Sequence, residues 1–456
     1  MASQYAQMKE SVANIYDHVH TSSPNVSKEI RLPLKAIPTS PSSISEVSNS
    51  VLQHVASCDT LSLKKQILPT TSSQMAGLLR DFRSSPDFDY HCNPAASDCE
   101  VIICEMVREH VGLNTVFSMR ETGLGKISPY LNEALLLCYH STVYTRPQAQ
   151  EYNLVVYGVA PHSPQERAFR FRNVRHLRPF SYTDEFEGEI DLAKLEQTIK
   201  ADKESGLIPH FLFVSVKDAK QFIASQHSKL DSICKEHGLK VYLDFSEVGL
   251  QVMERGLMKG IEPDFASLDL TELCGLSSLI FYIKDRRAYK EKVVNPPQEY
   301  LKIFNAKPSE EATGKADHSS DHKKKLTEIE FTAHDYNVGF GNPVALDKML
   351  ACIIKLGRKG LAHLLQVQRD NVELILSSFS KCSFVKKIRP LSNHVEVLIE
   401  PRVQDVNQRI VALTNGFSCF EFDSRRPHVL SLHAPLVQLD QSHLQSLQAA
   451  MTKCLN

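Results

Sequence analysis

Asp244 closes the apolar run Val241–Leu243, and Ser246 follows two residues later, so a carboxylate and a hydroxyl meet where a strand would end. No G-x-S-x-G elbow surrounds Ser246, which removes the support for a serine hydrolase. A strand-terminal aspartate also has a plain structural use, accepting the early backbone amides of the next helix. His162 stands in the turn-rich stretch Pro161-His162-Ser163-Pro164, where it is an ordinary loop histidine unless its neighbours say otherwise. Lys217 follows the run Phe211–Val216 and offers an amine at a second strand end, though a lysine there is usually just solvated. His91, Cys92, Cys99 and Cys104 lack the paired spacing of metal ligands, so packing explains these thiols better and no metal is expected. Lys323-Lys324-Lys325 reads as a solvated charge run rather than a nucleic-acid or localisation patch.

The elements that must carry these residues follow from apolar periodicity. Near-continuous apolar runs over 152–159, 211–216, 240–244, 265–268 and 279–283 predict buried strands. Helical stretches separate them, and that alternation argues for a mostly parallel sheet covered by helices. Apolar residues at i, i+3 and i+4 predict helices over 98–111 and 129–140, within a mostly helical region from 72 to 142. A long helical pattern over 350–376, a strand over 395–399 and a closing helix over 441–455 predict a separate α+β lobe. We divide the chain into a helical N-terminal arm (1–70), a large α/β domain (71–305), a mobile polar loop (306–326) and a C-terminal α+β domain (327–456).

The composition narrows the function classes. A chain of 456 residues exceeds one compact domain, and 42% apolar residues suffice for full-sized cores. Lys plus Arg number 52 against 53 Asp plus Glu, which gives no global attraction to nucleic acid or an anionic membrane. The 11 cysteines are scattered without a C-x-x-C pair, which fits reduced thiols in a cytoplasmic setting. No apolar window reaches the ~20 residues that span a bilayer, and the polar start Ser3, Gln4, Lys9, Glu10 does not resemble a secretory signal.

Several segments together resemble the pyridoxal-phosphate-dependent aromatic amino-acid and histidine decarboxylases, over nearly the whole chain. Leu68-Pro69-Thr70-Thr71-Ser72 resembles the family's Y-P-A-x-T-S, and Asn93-Pro94-Ala95 with Asp98 and Glu100 resembles S-P-A-x-T-E-L-E. Gly206-Leu207-Ile208-Pro209 matches G-L-I-P, and no gap is needed from there to Asp244, which takes the place of the aspartate in D-A-A-Y-A-G. His162 with Glu166, Arg167 and Ala168 matches A-H-S-S-x-E-R-A. The resemblance implies that Asp244 would pair with the pyridine nitrogen and His162 would stack on the ring. It further implies that Asn132, Ser215 and Ser246 would contribute to cofactor binding, and that Pro69 and Thr70 would line the substrate mouth.

The same resemblance exposes losses. The family's D-S-F-N-x-N-x-H-K, aligned on Ser267, puts the Schiff-base lysine on Cys274, and a register one residue back puts it on Leu273. Neither a thiol nor an alkyl group can condense with the cofactor aldehyde. The phosphate cradle G-S-A-S-E-A is here Pro129-Tyr130-Leu131-Asn132-Glu133-Ala134, with Tyr130 and Leu131 expected in core packing. Gly123 and Gly125 keep part of the glycine-rich approach. The A-T-x-G-T-T strand end is Val214-Ser215-Val216-Lys217-Asp218-Ala219, and the F-R-S-L-K helix start, Pro343–Asp347, lacks its arginine. Asp335-Tyr336 does not match the family's loop D-Y pair in spacing.

The resemblance therefore implies a fold-type-I architecture and a homodimer, with a heterodimer with an active relative as the other pairing. It predicts a catalytically inactive homologue that acts as a binding or interaction protein, any pyridoxal phosphate being held non-covalently. Two alternatives stay open: an active amino-acid carboxy-lyase using a displaced amine such as Lys217, and a vestigial pocket that holds a small anion or amino acid through His162 and Asp244.

Overall fold

A computed structural model of the protein describes residues 94–143, 151–184, 186, 188–274, 277–289, 343–391, 393–399, 420–422 and 429–434, with 439, 444, 445, 448 and 449. The expected N-terminal arm, Pro69, Thr70, His91, Cys92, the polar loop, Tyr336 and most of the closing helix lie outside the described residues.

The first described element is helix α1 (Pro94–Val111), which opens on a proline and closes with Arg108 and His110 in its last turn. A leading proline loses no helical hydrogen bond, and late cations complement the helix dipole. Its face of Ile103, Cys104, Val107 and Val111 is buried against strand β1 (Leu124–Ser128). A Cβ on Gly125 would lie 2.7 Å from the Cβ of Cys104, and one on Gly123 would lie 2.2 Å from the backbone of Phe117. Both glycines are thus required by close packing. Strand β1 interrupts the mostly helical stretch expected between 72 and 142; its five residues are buried throughout, and so short a run carries no readable period. Glu100 reaches over this edge strand, accepting the Ile127 amide at 2.9 Å and the Lys126 amine at 2.8 Å.

Helix α2 (Leu131–Val143) follows, then β2 (Leu154–Tyr157), α3 (Pro164–Phe171), β3 (His176–Arg178), the small hairpin β4 (Tyr182–Asp184) and β5 (Glu189–Ile190), and α4 (Leu192–Glu204). The chain continues through β6 (Ile208–Ser215), α5 (Ala219–Ser225), α6 (His227–His237), β7 (Lys240–Asp244), a 3-10 segment (Ser246–Met253), β8 (Phe265–Asp269), α7 (Thr271–Cys274), β9 (Leu279–Ile283) and α8 (Arg286–Tyr289). Seven strands form one sheet in the order β1-β9-β8-β7-β6-β2-β3. Only β9 runs against the others, pairing antiparallel with both β1 and β8. The strands expected from continuous apolar runs are those at the centre of this sheet, because a strand covered on both faces shows no alternation.

Two apolar clusters sandwich the sheet. One holds Leu212, Val214, Leu243, Ala266 and Leu268 with α1, and the other holds Phe211, Phe213, Tyr242 and Phe265 with Leu135, Cys138 and Tyr139 of α2. Burying these faces at ~25 cal/mol per Å² supplies the main favourable term of folding.

Helix α9 (Pro343–Phe379) leads to a second sheet of β10 (Val385–Pro390), β11 (His394–Ile399), β12 (Phe420–Phe422) and β13 (Val429–His433), ordered β10-β11-β13-β12 and antiparallel throughout. The single helix expected over 350–376 is interrupted at Gly357, whose φ of 55° and ψ of −172° break the helical backbone. A mostly parallel sheet sandwiched by helices beside a small antiparallel sheet is the fold-type-I arrangement that the resemblance implies.

Candidate functional site

Strands β2, β6, β7 and β8 run parallel. Their carboxyl ends therefore share one edge of the sheet, where ligands of open α/β folds gather. Ser215, Asp244 and Ser267 lie in register as a row across β6, β7 and β8. Side chains alternate along a strand, so Asp244 shares the face of Tyr242, the face that α2 covers.

Asp244 is 1% exposed. Its Oδ1 accepts the hydroxyls of Ser246 and Ser267, each at 2.6 Å, and the Ser246 amide at 3.1 Å. Burial pushes its carboxyl up to about 6, against the opposing pull of those hydrogen bonds. The aspartate does not cap the following 3-10 segment in the usual way, since the residue at that cap is Phe245 and no side chain bonds there. Ser267, treated in the sequence only as an alignment point, is the missed member of this group. Its signal was its place in the register, one strand over from Asp244.

The remaining expected cofactor residues occupy the same edge. His162 follows β2 and is exposed, in a left-handed conformation with φ 60°. Its backbone amide donates to Glu166, while Ser163 accepts the Glu166 amide at 3.0 Å and starts α3. The Glu166 match is thus explained by helix capping. Ser215 donates to Glu247 at 3.4 Å and faces solvent. Asn132 lies half-buried in the first turn of α2.

The cradle segment differs from the expectation at Tyr130, which is 67% exposed rather than packed in the core, because it stands in the turn before α2. Leu131 does pack against the α2 cluster. Ser128 Oγ accepts the Tyr130 amide at 3.3 Å and donates to Glu133 at 2.8 Å, so local groups already satisfy this helix start.

Leu273 and Cys274 are 2% and 0% exposed and belong to the α1-side cluster, across the sheet from Asp244. Beside them Glu272 accepts the Leu250 amide at 2.9 Å, the Asn393 side chain at 3.2 Å and the Gln368 side chain at 3.4 Å. Gln368 in turn accepts from Gln251 at 3.0 Å and donates to the Ala434 carbonyl at 3.3 Å. The segment that resembles the Schiff-base loop is a clamp between the two sheets.

Lys217 is not simply solvated. Its amine donates to Glu396 of β11 at 3.5 Å, and that carboxylate is 1% exposed. Asp218 accepts the Gln221 amide at 3.0 Å and starts α5. Both charges that replace small family residues therefore have structural partners.

Cys104 is fully buried, and burial pushes its thiol well up. Among the described residues, Glu196, Glu236 and His237 bring donor atoms within 4.8 Å of one another. Lys200 pairs with Glu196 and Lys203 with His237, so amines hold two of these three donors.

A fit test for pyridoxal phosphate divides the site. The buried carboxylate at the end of β7 suits a protonated heterocycle, but no amine stands at 273 or 274, and the helix start carries Pro129, Tyr130 and Leu131 in place of small donors. The residues present do not fit a covalently held cofactor.

No model of a known protein family matches the chain. A tryptophan decarboxylase of Camptotheca acuminata is 21% identical over 255 residues, covering 51% of this chain and 50% of that protein. Tyrosine decarboxylase 2 of Narcissus pseudonarcissus is 26% identical over 258 residues, with 51% and 50% covered. The match thus spans about half the length of these curated relatives. Among solved structures, Catharanthus roseus tryptophan decarboxylase in complex with L-tryptophan superposes with a TM-score of 0.81 at 16% identity, covering 100% of this chain and 97% of that one. Oryza sativa TDC with PLP and tryptamine gives 0.80 at 17% identity, covering 100% and 99%. No helix among the described residues is long and apolar enough to cross a membrane. Over about half its length the chain is similar in sequence to plant tryptophan and tyrosine decarboxylases, and its architecture is the fold-type-I architecture seen in these solved structures.

Proposed function

We propose that the chain is a non-catalytic homologue of the aromatic amino-acid decarboxylases that acts as a binding or interaction protein. The observation that carries this reading is the burial of Leu273 and Cys274 in apolar packing at the position where the family bears its lysine. Imine formation requires an accessible amine, and Lys217 is engaged with the buried carboxylate of Glu396. A ligand at the sheet edge would be held without covalent chemistry, with Asp244 facing a cationic or hydrogen-bonding group and His162, Asn132, Ser215 and Ser246 around it. Pyridoxal phosphate itself, a small anion or an amino acid would be bound only in this way. The chain is proposed to pair as a homodimer or with an active relative, in the cytoplasm.

The test is an absorbance scan of purified protein with excess pyridoxal phosphate, then borohydride reduction and intact mass. The reading expects no protein-bound aldimine band and no mass increase. A stoichiometric reducible adduct, with decarboxylation of an aromatic amino acid, would overturn it in favour of an enzyme with a displaced lysine.

A further inference from the structure

At the opposite edge of the large sheet, where β2 and β3 begin, arginines crowd into one short stretch. Arg167, Arg170, Arg172, Arg175 and Arg178 fall within residues 167–178, and no Asp or Glu occurs from there to Thr183. In a chain whose formal net charge is −1 this is a local concentration of positive charge. Arg178 is neutralised by Asp202, which it meets at 2.6 Å. Arg170, Arg172 and Arg175 are oriented chiefly by neutral groups. Arg170 donates to the Val174 carbonyl at 3.4 Å and the Arg175 carbonyl at 3.0 Å, with Glu166 only at 3.5 Å. Arg172 donates to Nδ1 of His140 at 2.5 Å. Burial and then Arg172 itself lower the pKa of that ring, which keeps it an uncharged acceptor. Arg175 lies over the ring of Tyr152, 4.4 Å from its centroid.

Neutral partners fix guanidinium groups in place without cancelling their charge. A cavity of about 420 Å³ opens among Tyr152, Arg170, Asn173, Val174 and Arg175. That volume falls within the ~300–1,000 Å³ of small-molecule sites. The guanidinium fork matches phosphate oxygens two at a time, and an arginine stacked on an aromatic ring keeps its edge free for such a contact. The small volume favours a compact ligand over an extended acidic peptide, and Tyr152, at 48% exposure, supplies a ring at the wall.

We propose that this pocket binds a soluble, phosphate-bearing small molecule, at a site distinct from the carboxyl edge that holds Asp244. Arg175 and Arg170, which line the cavity, carry the charge that recognises the phosphate, and Tyr152 holds Arg175 in position.

Calorimetric titration of the full chain with inorganic pyrophosphate at low ionic strength, and again at high salt, tests the proposal. Saturable binding that weakens with salt is expected. Arg175→Gln and Arg170→Gln should each lower affinity at least about tenfold, with melting temperature unchanged. Arg175→Lys should recover only part of it, because an ammonium cannot reproduce the fork. Asn132→Asp, at the other edge, should leave pyrophosphate affinity as in the parent chain. Absence of binding at millimolar pyrophosphate would overturn the proposal. So would loss of binding in Asn132→Asp with the arginine variants unaffected, which would put the phosphate at the start of α2. Co-sedimentation with phosphoinositide vesicles in the absence of pyrophosphate binding would also overturn it.

Discussion

Asn393 donates its side-chain amide to Glu272 at 3.2 Å, joining the residue before β11 to the segment that resembles the Schiff-base loop. Glu272 also takes the Leu250 amide and the Gln368 side chain, so one half-buried carboxylate ties the 3-10 segment, α9 and the small sheet together. Glu272→Ala leaves these donors without their acceptor, and a lost partner for a buried donor costs ~1–3 kcal/mol. We expect a destabilisation of about 2–3 kcal/mol by urea unfolding. Faster amide exchange at Leu250 should accompany it; an unchanged Leu250 would refute the clamp.

The buried Asp244 carboxyl predicts a pH signature. Its folded value of about 6 lies above the ordinary 3.8, so the native state holds a proton that the unfolded chain has released between those values. The associated stability is present below about pH 4 and is lost as pH rises through about 6. At ~1.4 kcal/mol per pKa unit the change is on the order of 3 kcal/mol. Asp244→Asn removes this titration, so relative to the parent it should gain stability between pH 4 and pH 7. Parallel urea titrations at the two pH values check this, and a pH-independent difference would rule it out.

Lys126 and Glu100 form an ion pair whose side chains are each 4% exposed. Removing one partner strands the other charge away from water, and such losses cost ~3–5 kcal/mol. Lys126→Met should therefore be strongly destabilising. Glu100→Gln added to it should restore part of the loss, since glutamine keeps an acceptor for the Ile127 amide without the stranded charge. Unfolding free energies of both singles and the double provide the measurement, and strict additivity would show that the pair is not coupled.

Cys274→Lys places an amine at the family position. The side chain enters the apolar α1-side cluster, so the amine is expected to destabilise the fold or turn outward without forming a cofactor imine. Absorbance with pyridoxal phosphate and borohydride trapping give the readout. A reducible adduct at residue 274 would show that the backbone there still addresses the carboxyl edge.

The strands around Asp244 were legible because burial on both faces writes each as an unbroken apolar run with a polar residue at its end. Asp244 itself stood out for that reason. Ser267 did not, since its bond to Asp244 depends on the pairing of β7 with β8, which no linear pattern encodes. The exposure of Tyr130 was also hidden, because an aromatic residue beside an apolar helix reads as core until the direction of the turn is known. The partners of Glu272 lie as far as 121 residues away and in another sheet. Lys217 was read as solvated for the same reason, its acceptor Glu396 being remote in sequence. The arginine stretch was not singled out in the sequence, because its neutral orienting groups and the cavity required the fold.

The bond from the Ile127 amide to Glu100 has a meaning beyond the stability of the pair. Among the described residues β1 is the outer strand of the large sheet, and an open row of backbone donors there would offer a template on which a second molecule could extend the sheet. Glu100 caps one of those donors with a carboxylate that lies buried with Lys126 against the strand. Losing it would free that donor at the border of the sheet, so the first sign of damage in Glu100 variants should be loss of solubility on concentration.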